Sequence, residues 1–176
     1  SLGALGDQAP SRRDLNIQTW QTAEGAKVLF VEARELPMFD LQLTFAAGSS
    51  HDDGIAGLAM LTNAMLNEGQ VIGQPTFPED SLARIKNQLL AGFEYQKQNP
   101  GKLASLALFE RLYGTHPYAH PSDGNAESIP AISREQLQAF HAKAYTANNA
   151  IIALVGDLSR SDAEALANAV SAALPK

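Results

Sequence analysis

The residue pattern predicts an α+β domain in which a mostly antiparallel sheet packs against helices. Three features predict it: alternating apolar and polar segments near the start, apolar residues at helical spacing through the middle, and a short apolar strand that returns near the end. Helices and strands come in blocks, so a doubly wound parallel sheet is not expected. Of the 176 residues, 45% are hydrophobic and 18% charged, enough apolar material for one core and too little charge for disorder. Residues 1–14 read as a polar arm and residues 15–176 as a single domain.

Leu15 to Trp20 and Lys27 to Ala33 read as extended segments joined across Ala23-Glu24-Gly25-Ala26, where Gly25 supplies a positive φ for a hairpin turn. After Leu36-Pro37, the residues Phe39, Leu41, Leu43 and Phe45 alternate with Asp40, Gln42 and Thr44, the period of a half-buried strand with its apolar side toward the core. Ala46 to Gly54 is small, polar and glycine-punctuated, a loop, and Ile55 to Glu68 follows as a helix with Leu58, Leu61, Met65 and Leu66 at helical spacing. A second helix begins at Pro78, with Glu79 and Asp80 complementing the dipole of its first turn, and runs through Leu82, Ile85, Leu89 and Phe93. Asn99-Pro100-Gly101 breaks it. Lys102 to Tyr113 is a third helix that ends at Gly114, ahead of a rigid His116-Pro117-Tyr118 loop. Ser133 with Gln136 forms a capping box for a helix to about Tyr145, Asn149 to Gly156 is a buried strand, and Ser161 with Glu164 opens a last helix to Leu174.

Composition excludes several functions. The net charge of −6 repels nucleic acid and anionic membrane surfaces, and no apolar run approaches the roughly 20 residues that cross a bilayer. Zero cysteines leave no disulfide, thiol nucleophile or Cys-ligated metal. The polar start has no signal-peptide h-region, so any export signal is expected to have been removed. No serine has a nucleophile-elbow context, and no glycine-rich stretch follows a strand and opens a helix as a phosphate loop does.

Three stretches, in order, carry a family resemblance. Gly57-Leu58-Ala59-Met60-Leu61-Thr62-Asn63-Ala64-Met65-Leu66 looks like a G-L-A-H-x-x-E-H-M-L segment. Leu112-Tyr113-Gly114-Thr115-His116-Pro117-Tyr118-Ala119, with Gly124, Glu127 and Ser128-Ile129 downstream, is similar to L-Y-G-x-H-P-Y followed by G-x-x-E-S-I. Phe140-His141, Tyr145, Asn148-Asn149 and Val155-Gly156-Asp157 look like a helix, a Y-x-x-N-N linker and a V-G-D strand. On these stretches the chain resembles the N-terminal domain of the M16 zinc metallopeptidases, the insulinase, pitrilysin and mitochondrial-processing-peptidase-like family.

The resemblance implies an inverted zinc motif that this sequence lacks. In that motif two histidines four apart on one helix face ligate zinc, and the glutamate before the second activates the metal-bound water. Carried over, the histidines fall on Met60 and Ala64 and the glutamate on Asn63. A thioether, a methyl and a neutral amide cannot replace them. The third ligand, a glutamate on the next helix, falls near Ala91 or Gly92, and Glu94 is turned away from that face. Without the resemblance, Met60, Asn63 and Ala64 read as ordinary positions of an amphipathic helix. The family also implies several dozen residues between the metal helix and the helix at Pro78, so the Gly69–Gln70 junction is expected to lack a segment. An intact mass equal to that of the 176-residue sequence would sink this expectation. A second, similar domain is implied as well and is absent from this chain.

Other candidate ligands are few. His116 and His120 are four apart but on a proline-bound loop, where His116-Pro117-Tyr118 reads as an ordered turn. His51 with Asp52 and Asp53 reads as a solvated acidic loop or a cation site, and His141 as a packing or surface residue of a helix. The leading expectation is a non-catalytic M16 homologue, with no cofactor of its own, that pairs with a zinc-bearing subunit and helps to enclose extended peptides. Such pairing suggests a bacterial exported, periplasmic heterodimer. Two alternatives stand beside it: an active zinc endopeptidase with displaced ligands such as His51, His116 or Glu94, and a self-associating scaffold that encloses peptide without cutting it.

Overall fold

A computed structural model describes residues 15–66 and 72–176. The expected polar arm and the Gly69–Gln70 junction lie outside the described residues. Strands β1 (Gln18–Gln21) and β2 (Lys27–Glu32) form the expected hairpin, β3 (Phe39–Phe45) follows, and β4 (Ala150–Gly156) returns near the end. The sheet order is β1-β2-β4-β3. β1 pairs antiparallel with β2, β3 antiparallel with β4, and β2 parallel with β4, so antiparallel pairing predominates in a mixed sheet. The helices are α1 (Leu58–Leu66), α2 (Glu79–Gln96), α3 (Pro100–Tyr113), α4 (Ser128–Ala131), α5 (Arg134–Ala144) and α6 (Arg160–Ala172). This is the expected α+β arrangement.

Two apolar cores hold the domain. Val28 and Phe30 of β2 and Ile152 and Leu154 of β4 share one sheet face, as their pairing register requires, and bury against Ala163 and Ala167 of α6. The alanine-rich face of α6 lets helix and sheet approach closely. The second core gathers Leu58, Leu61 and Met65 of α1 with Leu82 and Ile85 of α2, Ile129 of α4, and Leu137 and Phe140 of α5. The opposite sheet face stays open: Ile151 and Val155 are exposed, and Leu29, Val31 and Ala153 are half-buried in a stripe between them.

Several expectations change on contact with the structure. The apolar face of β3 is only partly a core face, because Phe39 and Leu41 are 47% and 38% exposed. β3 is one of the two outer strands, and the helices reach only its far end, where Phe45 packs on Tyr145 with ring centroids 4.9 Å apart. Asn99-Pro100 separates α2 from α3 but also starts α3. The Asn99 side chain accepts the Lys102 N–H at 3.2 Å, and proline occupies the first turn, where no N–H partner is needed. The capping box of α6 is Ser159 with Asp162, not Ser161 with Glu164. Both pairs fit the same local pattern, and the earlier one wins because Ser159 directly follows the turn out of β4. The Ser133–Gln136 box of α5 is as predicted.

Candidate functional site

The helix that resembles the metal-binding segment is positioned by a carboxylate. A short turn, Ser49–His51, delivers Asp52 to a site where it is only 1% exposed. There it accepts the backbone N–H of Gly57 at 3.1 Å and of Ala59 at 2.7 Å, supplying partners to donors at the start of α1 that the helix itself cannot satisfy. Burial raises the Asp52 pKa above the ordinary carboxylate value, against the opposing pull of those two N–H groups. Gly57 and Gly124 have φ of 90° and 77°, and a Cβ on Gly57 would lie 2.8 Å from Gly124 Cα. Only glycine at both positions lets the loop before α4 close against the start of α1. Asn125 holds that loop by accepting the N–H groups of Glu127 and Ser128 at 3.0 and 2.7 Å.

This framework turns part of α1 outward. Leu58, Leu61 and Met65 face the core, Met60 and Ala64 are half-buried, and Asn63 is exposed. Met60 and Asn63 line a cavity of about 510 Å³ whose other walls are Leu43, Thr44 and Phe45 of β3, the Ala47–Ser49 corner, Ser122, Asp123 and Tyr145. Asn149 ties the corner down by donating from Nδ2 to Ala46 O at 3.2 Å and to Ala144 O at 2.6 Å. One edge of β3 is bonded to β4 and the other is free of strand partners among the described residues.

The predicted site residues are only partly brought together. Met60 and Asn63 share the cavity, whereas Ala64 packs against the helical core and Ala91 and Gly92 are exposed on α2 outside the lining. These residues do not fit a zinc ion, because the cavity offers a thioether, an amide and the single carboxylate of Asp123, with no imidazole. The displaced candidates lie apart on different elements. His51 lines a separate hollow with Phe140 and Lys143, His116 Nδ1 accepts the Tyr118 N–H at 3.2 Å, and Glu94 pairs with Lys97 at 2.6 Å. Among the described residues no group of three His, Asp or Glu is arranged to hold a metal. Asp52 is a helix cap rather than part of a solvated acidic loop, while Asp53 pairs with Lys143 at 2.7 Å.

Sequence reasoning missed Ser122 and Asp123, which lie some distance along the chain from α1 and carry no motif of their own. It also left His141 open. The ring is buried, stacks on Tyr145 at 5.1 Å, and donates from Nε2 to Ile72 O at 2.6 Å, with burial lowering its pKa. No helix among the described residues is long and apolar enough to cross a membrane.

Known proteins agree with this architecture. Residues 131–176 match the model of the Peptidase M16 inactive domain. The crystal structure of a peptidase M16 inactive domain from Pseudomonas fluorescens superposes with a TM-score of 0.89 at 60% identity, over 92% of this chain and 52% of that one. A non-peptidase homologue, YmxG, from Helicobacter pylori is 28% identical over 119 residues, 68% of this chain and 26% of YmxG. Pitrilysin shares the fold alone, with a TM-score of 0.74 at 16% identity. The chain thus spans about half of the Pseudomonas chain and about a quarter of YmxG. These matches support the M16 peptidase family for this chain, in which Met60, Asn63 and Ala64 stand where its resemblance to the metal-binding segment calls for two histidines and a glutamate.

Proposed function

We propose that this chain is a non-catalytic M16 subunit that pairs with a zinc-bearing homologue and forms part of the wall of a chamber holding extended peptides. The observation that carries the reading is an edge of β3, free of strand partners among the described residues, running beside a cavity lined by Met60 and Asn63, the residues to which the resemblance assigns a zinc and a base position. A free strand edge offers backbone N–H and C=O groups to an extended chain, and side-chain hollows beside it give selection. The apolar stripe of Leu29, Ile151 and Val155 on the open sheet face supplies a second surface suited to a partly extended polypeptide. Hydrolysis would then fall to the partner, where zinc and its general base reside. The names of the Pseudomonas and Helicobacter relatives, an inactive domain and a non-peptidase, support a role without cleavage. A periplasmic setting belongs to the same proposal.

Co-expression with a zinc-bearing M16 homologue from the same genome tests the pairing. Co-elution of the two and faster peptide hydrolysis than by the homologue alone are expected. Failure of both overturns the proposal, and self-association with peptide binding but no response to the homologue favours an independent scaffold.

A further inference from the structure

Residues 72–77, ahead of α2, lie along α5 as a strap. His141 in the last turn of α5 donates from Nε2 to Ile72 O at 2.6 Å, and Arg134 at its start donates from Nη2 to Thr76 O at 2.7 Å. The two anchors are about two helical turns apart, roughly 10 Å, a distance that the chain from Ile72 to Thr76 can cover. Leu137 falls between them on the same helix face and is fully buried. Phe77 closes the strap. It too is fully buried, with its ring 6.0 Å from that of His141 and a φ of 48° that bulky side chains rarely adopt. The His141 ring is thus held between those of Phe77 and Tyr145, with the Ile72 carbonyl as the partner of Nε2.

An imidazole held between two rings gains a second proton only at a cost, because the ion loses hydration that one carbonyl does not replace. Burial accordingly lowers the His141 pKa. The strap itself bears no titratable side chain. Around the ring, Arg134 is engaged with Thr76 O and Lys143 with Asp53, Tyr145 is raised by burial, and Asp52 caps α1. His51 lies across the hollow that it shares with Phe140 and Lys143. Histidine is the side-chain type among these that ordinarily changes charge between pH 5 and 8.

We infer that residues 72–77 form an acid-released strap, which stays on α5 while the His141 ring is neutral and leaves it once the ring is charged. Tyr145 carries the change further. Its ring stacks on His141 at 5.1 Å, packs on Phe45 of β3 and lines the cavity beside Met60 and Asn63, so release of the strap loosens one wall of that cavity. The opening is local, because Val28, Phe30, Ile152 and Leu154 belong to the other core.

The chain has no cysteine, so a single thiol introduced by Leu137→Cys reports on the strap, with Ala163→Cys in the other core as control. Modification by dithiodipyridine, scaled to the rate for the urea-unfolded protein at the same pH, is read at pH 7.5 and 5.5. With the released ring titrating near 6.5 and the held ring neutral, the open fraction rises up to about tenfold between these pH values. Leu137→Cys should show that rise and Ala163→Cys should not. His141→Gln keeps a donor for Ile72 O without a titratable ring and should remove the rise. Arg134→Ala frees the other anchor and should speed labelling at both pH values while keeping the pH step. Because shortening Leu137 weakens the core, binding of anilinonaphthalene sulfonate to the chain without a thiol is measured in parallel. A severalfold gain at pH 5.5 is expected, abolished by His141→Gln, with far-UV circular dichroism unchanged. Equal labelling at both pH values, a rise shared by Ala163→Cys, or a pH step that survives His141→Gln overturns the strap. Should Leu137→Cys fail to fold, the dye decides: no gain, or a gain that persists in His141→Gln, overturns it.

Discussion

Replacing Asp52 with alanine tests what holds α1 in place. The carboxylate is 1% exposed and accepts the N–H groups of Gly57 and Ala59 at 3.1 and 2.7 Å. Alanine leaves both donors buried without that acceptor. An unsatisfied buried donor costs about 1–3 kcal/mol, and loss of a helix cap about 0.5–2 kcal/mol. Relief of the carboxylate's own desolvation returns part of this, so we expect a net loss of about 3 kcal/mol, or about 6–12 °C in Tm for a chain of this size. Asp52→Asn keeps one acceptor oxygen and should cost about 1 kcal/mol. Thermal unfolding followed by circular dichroism at neutral pH reads both variants. A Tm for Asp52→Ala within about 2 °C of wild type, or an equal loss in Asp52→Asn, would refute the capping argument.

Other perturbations probe separate parts of the molecule. Tag-free protein purified without chelator and then offered excess zinc should retain no stoichiometric metal by elemental analysis. One tightly held zinc per chain would overturn the carry-over of the motif to Met60, Asn63 and Ala64. Burial lowers the His141 pKa from an unfolded value of about 6.5, so the unfolded chain takes up a proton more readily than the folded one. The associated stability is present above about pH 6.5 and is lost as pH falls below it; denaturant titrations between pH 7.5 and 5.5 should show this loss, and His141→Gln should flatten it. Asp52, raised by burial, acts in the opposite sense nearer the carboxylate range, so an unchanged slope in His141→Gln would assign the pH dependence elsewhere. Thr44→Lys places a charge on the exposed outer strand, where lysine blocks strand addition. It should weaken peptide binding severalfold and change stability by under about 0.5 kcal/mol, and unaltered binding would remove β3 as the docking edge.

Local signals in the sequence carried most of the elements. The Ser133–Gln136 box marks α5, Asn99-Pro100 separates α2 from α3, and the alternation from Phe39 to Phe45 marks β3, because each depends on residues within one turn or one strand. The same locality explains the errors. Ser161–Glu164 satisfies the pattern that Ser159–Asp162 uses, and only the position of the turn after β4 decides between them. Alternation gave β3 an apolar side but could not reveal that Phe39 and Leu41 lie beyond the helices, since that depends on β4, over a hundred residues later, occupying the inner position. The candidate site divides in the same way. Met60, Asn63 and Ala64 were singled out by the order of the surrounding motifs, whereas the cavity that Met60 and Asn63 line takes Ser122 and Asp123 from a loop brought in by the Gly57–Gly124 contact.

That arrangement also explains how the helix keeps its place with non-ligating residues at the motif positions. Its inner face is fixed by Leu58, Leu61 and Met65, all buried, and its first turn by Asp52 and by the close approach of Gly57 to Gly124. Neither anchor uses Met60 or Asn63, which face the cavity, and Ala64 contributes only a methyl at the edge of the core. A structural zinc site would have coupled folding to its ligands, and their loss would have taken the helix with it. Here the groups that shape the helix and those that would perform hydrolysis occupy different positions on it. Substitution at the second set can therefore end metal chemistry while leaving the cavity and the edge of β3 intact.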